Sequence, residues 1–208
     1  MTNSPEQFGF DSLLADADAD NQARQFEQET AHLPETMEEA IALYRQQIEQ
    51  HHVAMLENDF EQAIAIREEA HLLARKLNGN EPGIIAHDDA PGCVLARETA
   101  AIPGAVPLWG QEGTFQMTVA NMRLQVSMGG IFGIGATAMP YLGFSVRAVE
   151  YDRPFLSETG YRSFLGVSVK PEPQMDVSGF VRCVVEVYVK QELKNRLVPI
   201  AKQYHPQK

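Results

Sequence analysis

Cysteine is scarce in this chain. Cys93 and Cys183 lie ninety positions apart among 208 residues, with no CxxC pair and no cysteine-histidine spacing. That excludes a disulfide framework and gives no zinc signature, so both read as reduced thiols. Also missing at the start, "MTNSPEQFGFDSLLADADAD", are the basic and apolar regions of a secretory signal, and a cytoplasmic location is the expectation. Positive charge is short as well: 17 Lys and Arg face 28 Asp and Glu, a net charge of -11. The shortage is local, because residues 1–92 carry 19 acids and 5 bases whereas residues 93–208 carry 9 acids and 12 bases. Such asymmetry fits an acidic front that touches the basic half, one that keeps nucleic acid away from it, or a solvated face that aids solubility.

One uncharged run, "LQVSMGGIFGIGATAMPYLGFSV" from Leu124 to Val146, is long enough to span a bilayer. Its five glycines, its proline and its alternating start argue against a spanning helix, and no membrane partner is expected. No enzyme signature is visible, so an enzyme is not the favoured reading. "GGIFGIG" lacks both the GxGxxG order and a following Lys-Ser/Thr. Cys93 follows His87 in "HDDAPGCV", which is proximity in sequence and not a catalytic alignment. Glu68 and His71 form one Glu-x-x-His pair, whereas a carboxylate-bridged metal site needs more than one. No catalytic residue, metal or cofactor is expected.

Four segments follow from the composition: an acidic tail over 1–34, disordered or transiently helical; a helical hairpin over 35–79; a turn-rich linker over 80–92; and a β-rich domain over 93–208. In the hairpin, Thr36 and Glu39 make a capping box, and Ile41, Tyr44, Ile48 and Met55 recur at helical spacing, with His51 or His52 filling the missing step. Asn58 ends this helix and Asp59 caps the next, whose stripe is Phe60, Ala63, Ile66, Ala70, Leu73 and Leu77 before Gly79. Two helices alone bury too little, so the stripe must pack on the C-terminal half or on another chain. Tyr44, Ile48, Ile66 and Leu73 are the expected contacts for such a partner, a second copy of this chain included.

"LENDFEQAIAIREEAHLLARKL", with Phe60-Glu61, Ala63 and Arg67, resembles the UVR motif, the helical hairpin that nucleotide-excision-repair proteins use for partner contacts. The resemblance covers residues 40–77 and implies a protein-protein contact. It brings no repair activity, because no Walker A loop, helicase motif or nuclease pattern accompanies it.

Beyond residue 110 the period changes to that of strands. Phe115, Met117 and Val119 alternate with polar residues, as do Leu124, Val126 and Met128. A turn at 120–123, setting 119 against 124 and 115 against 128, puts all six on one face. "FSVRAVEYD" and "FLGVSVK" read as two further strands. From Asp176 to Leu197 the pattern fits both a valine-rich strand and a helix; the Arg182, Glu186, Lys190 and Lys194 edge and the Asp176 start favour the helix. The expected class is therefore α+β: an antiparallel helical hairpin, antiparallel strands and a closing C-terminal helix.

"PFLSETGYRSFLG", residues 154–166, admits two readings. Ser157 or Thr159 could cap a short helix from Gly160, with Arg162 paired to Glu158 and the aromatics turned inward. Alternatively Arg147, Arg153, Ser157, Thr159, Tyr161 and Arg162 form a site for an anionic ligand or nucleic acid, the second alternative to a protein-contact function.

Overall fold

The computed structural model describes residues 17–18, 20–133, 143–165 and 169–206. Residues 1–16, much of "GGIFGIGATAMPYLG" and residues 166–168 of "FLGVSVK" lie outside the described residues. Helix α1 is Met37–Glu57 and helix α2 is Phe60–Leu77. Thr36 caps α1 by accepting the Glu39 N–H, and its hydroxyl donates to the Glu39 carboxylate at 2.8 Å. That bond replaces the reach of Glu39 to the Thr36 backbone which a full capping box would have. Asn58 turns the chain at φ 59°, and Asp59 accepts the Gln62 N–H at 3.1 Å to start α2.

Residues 20–29, within the segment read as a tail, are helical. The ammonium of Lys76 donates to the Thr30 and Leu33 carbonyls at 3.0 and 2.6 Å, just past the end of this helix, where its dipole favours a cation. Leu33 is buried and the Arg75 guanidinium lies 5.0 Å from the Phe26 ring centre. The described part of the acidic segment thus rests on α2 rather than on the basic half.

Helix α3, Pro91–Glu98, stands where a linker was expected to run into the β-rich domain. Its start has no side-chain cap, and Pro91 is its one strong sequence signal. Gly92 is required there, since a β-carbon would lie 2.8 Å from the Ile84 carbonyl oxygen that its own N–H binds. Leu95 and Ala96 bury against Tyr44, Ile48, Leu73 and Ala74 of the hairpin.

Strands β1 (Glu112–Val119), β2 (Met122–Gly129), β3 (Phe144–Ala148) and β4 (Tyr161–Phe164) form one antiparallel sheet in chain order. The first hairpin has a two-residue loop: Val119 pairs with Met122, Met117 with Leu124 and Phe115 with Val126. The register is two residues away from the expected one. Because two is the side-chain period, the same residues still face inward. Ala120 and Asn121 have φ of 46° and 65°, the turn whose twist suits tight hairpins. Alanine is strained in that conformation, so Ala120→Gly is expected to raise stability by about 1 kcal/mol, read as a higher urea midpoint at unchanged slope.

The expected short helix at Gly160 is instead the entry to β4. Gly160, at φ 69°, returns the chain, and Ser157 and Thr159 spend their hydroxyls on the Tyr161 backbone rather than on a helix N-terminus. Phe164 then pairs with Phe144, and the two rings stack at 4.9 Å. The remaining ambiguity resolves as helix α4, Val177–Gln191, with the Gly179 N–H donating to Asp176 at 2.7 Å. It stops short of Leu197 because Lys194 and Asn195 take positive φ. Its valines are used for packing: Val181, Val184 and Val185 with Phe180 cover the inner sheet face. Burial of that face overrides β-propensity. The fold is α+β, a helical front followed by an antiparallel sheet closed by a helix.

The two halves share their interiors. Ala54, Met55 and Ala63, at the turn end of the hairpin, join the sheet core, while Ile131 and Phe132, just after β2, join the hairpin core. Trp109, fully buried, stands between them: its Nε1–H donates to the Met175 carbonyl at 2.9 Å and its backbone N–H to His52 Nδ1 at 3.2 Å. No helix among the described residues is long and apolar enough to cross a membrane.

Candidate functional site

The four residues expected to meet a partner lie inside. Tyr44, Ile48, Ile66 and Leu73 are each at most 3% exposed and are consumed by the fold. Helical periodicity identifies a face that must be covered, and here α3, the sheet end and the residue 131–132 turn cover it. Any partner of the hairpin must use a different surface.

Such a surface exists along the opposite side of α2. A groove of about 890 Å³ runs over Ile64, Arg67, Glu68, His71, Leu72 and Arg75, with Glu29 on one rim and residues 81–84 on the other. Its walls are pinned from several sides. Lys76 holds the end of the 20–29 helix, the Asn78 side chain donates to the Glu81 and Pro82 carbonyls at 3.0 Å each, and the Gly92 N–H holds Ile84 at 2.8 Å. Arg67, His71 and Arg75 stand four residues apart on one helix edge, among the apolar side chains of Ile64, Leu72, Pro82 and Ile84. The His71 ring bonds the Arg67 carbonyl through Nδ1 at 2.8 Å and lies 5.1 Å from the Phe132 ring. The sequence contains the four-residue cationic spacing on α2, but no local pattern brings Glu29 and residues 81–84 alongside it.

Behind the groove the hairpin buries an unusual amount of polarity. Gln47 and His51, one turn apart on α1, are at most 1% exposed, and neither their side-chain nitrogens nor the Gln47 oxygen makes a well-formed hydrogen bond. Arg67 is 7% exposed, and burial lowers its pKa, with Glu68 opposing. Burial pushes the His51 pKa down to about 4; the nearby Arg67 and His52 add to that and the Trp109 backbone opposes it. Tyr44 is raised well above the usual phenol range by burial, with Glu112 acting in the same direction. Burial raises Glu112 too. His51 therefore fills the missing stripe position, and His52 turns to Trp109.

The arginines and hydroxyls proposed around residues 147–162 are brought together only in part. Arg153 pairs with Glu150 at 3.3 Å. Arg162, paired with Glu158 in the capped-corner reading, lies instead over the Tyr188 ring of α4 at 4.6 Å, on the side of the sheet that holds Val146 and Phe164. Arg147 points to the other side, where its guanidinium is 5.6 Å from the ring of Tyr161. Tyr161, turned inward in the capped-corner reading and placed in the site by the other, is 43% exposed there. Ser157 and Thr159 are tied to the Tyr161 backbone. Cys93 lies half-buried on α3 while His87 is exposed in the loop before it. Among the described residues no cluster of His, Cys, Asp and Glu could hold a metal ion.

The family match lies in the second half of the chain. Residues 112–197 match the family model described as KlcB third domain. Two curated relatives, each named Protein KlcB and from Escherichia coli, are 45% identical over 89 residues, 42% of this chain. The match amounts to 21% of one relative and 18% of the other, so the chain spans about a fifth of their length. No solved structure matches. The match begins at β1 and ends just beyond α4, leaving the hairpin, its UVR-like pattern and the groove outside it. Residues 112–197, which hold the four-stranded sheet and its closing helix, are therefore similar to the KlcB third domain.

Proposed function

We propose that this protein is a non-enzymatic interaction module whose helical front receives a segment of another protein chain in the groove along α2. The supporting observation is that the groove is built in advance. Lys76, Asn78 and the Gly92 N–H fix its walls through backbone carbonyls, so little ordering cost remains at binding. Ile64, Leu72, Pro82 and Ile84 suit an apolar side chain of the incoming segment, and Arg75 suits an adjacent carboxylate. The acidic N-terminal segment takes part by supplying the wall at Glu29. A cytoplasmic setting, with neither membrane nor cofactor, belongs to this same reading.

Ile64 is 39% exposed at the groove, so Ile64→Glu is expected to change stability by no more than about 0.5 kcal/mol. It should weaken partner binding by roughly tenfold or more, measured by titration against the partner in purified form. Equal affinity of the variant and the parent chain would remove the groove from the account.

A further inference from the structure

The sheet has a second face, which α4 does not cover. Pairing places Thr114, Ser127, Ser145 and Ser163 in one row across all four strands. The adjacent row is Gln116, Gln125, Arg147 and Tyr161, and Thr118 with Arg123 begins a third. A row of four strands is roughly 14 Å across. Gln116, Thr118, Arg123, Gln125, Arg147 and Tyr161 are exposed and the four hydroxyl residues half-buried. None of these ten positions is acidic in a chain whose net charge is -11, and two are arginine. The carboxylates at its margin belong to Glu112, exposed on this same face at the start of β1, and Glu150, 3.9 Å from Arg123. The whole face lies within the segment similar to the KlcB third domain.

We propose that this face binds single-stranded nucleic acid. Its charge is complementary to a phosphate backbone, and its rows follow one another in the order that such a strand needs. Arg123 and Arg147 meet phosphates, Tyr161 offers an exposed ring that Arg147 already holds in place, and the hydroxyl and amide rows present donors and acceptors to unpaired base edges. A duplex hides those edges and is the poorer ligand. This surface is separate from the groove, so the two can fail independently.

Fluorescence anisotropy of the full chain with labelled 20-mers of deoxythymidine and of uridine tests it. Two phosphate contacts on a single strand should make affinity fall about sevenfold between 50 and 200 mM salt. Tyr161→Ala should weaken binding about fivefold or more, while Tyr161→Phe, which keeps the stacking ring, binds as the parent does. Arg147→Gln should weaken binding and flatten the salt dependence, whereas Arg97→Ala, on α3, should leave both unchanged. Circular dichroism establishes that each variant is folded. The proposal is overturned if neither oligomer binds at 50 mM salt. It is equally overturned if folded Tyr161→Ala and Arg147→Gln bind as the parent does.

Discussion

Replacing Trp109 with alanine is expected to remove about 3–5 kcal/mol of folding stability. Trp109 is fully buried, packs edge-on against Phe180 of α4 at 5.2 Å, and bonds Met175 through its indole N–H. Its backbone N–H reaches His52 on α1, so one residue ties the helical front to the closing helix. Alanine would leave a cavity the size of an indole and the Met175 carbonyl without its donor. The structure can close little of it, because Phe115, Val177 and Phe180 around it are themselves fully packed. The measurement is urea denaturation followed by far-ultraviolet circular dichroism, since Trp109 is the single tryptophan and the variant has no indole fluorescence. Trp109→Phe should fall between the two. A loss below about 1 kcal/mol would mean that the halves are not joined through this residue.

Acid is expected to destabilise the fold through His51. Its folded-state pKa is about 4, set by burial, against an ordinary value of 6.5. A base whose pKa is depressed by folding binds its proton more readily when unfolded, so stability is highest above about pH 6.5 and falls as the pH drops. The fall continues to about pH 4, below which both states are protonated, and amounts to about 3 kcal/mol in all. His52, lowered by burial with Asp176 opposing, acts in the same direction. The comparison is parent chain against His51→Leu, each denatured at several pH values. Their difference should shrink the parent's advantage, or enlarge the variant's, steadily from pH 6.5 to pH 4. A difference curve flat over that interval would place His51 in contact with water or with a partner that the buried geometry does not provide.

Much of the fold was legible because its elements carry local signals. Asn58 and Asp59 define the turn between α1 and α2, Asp176 starts α4, and alternation identifies which residues of β1 and β2 face inward. The two-residue register difference arises because "AN" can take left-handed backbone angles at both positions, a property of the turn and not of the hydrophobic pattern. α3 was hidden for another reason: eight residues opened by proline, uncapped, stabilised by Leu95 and Ala96 against a distant hairpin. The site was less legible than the fold. Tyr44, Ile48, Ile66 and Leu73 were identified by the very periodicity that guarantees their burial. Arg147 and Arg162, read as one cationic cluster, are separated by the sheet itself, because an odd spacing along neighbouring strands places Arg162 on the α4 side with Val146 and Arg147 on the opposite side with Tyr161. The groove needs residue 29 beside residues 64–75 and 81–84, a tertiary arrangement held by Lys76 and Asn78.

The most direct test of the interaction account is site-specific photo-crosslinking in cells, with a photoreactive phenylalanine analogue at Ile64 and, as control, at Ile102, which is 79% exposed and outside the groove lining. The account predicts that position 64 captures one reproducible protein through an apolar segment flanked by an acidic residue, and that position 102 does not. Capture of the same proteins in the same yield from both positions, or none from position 64, would contradict it.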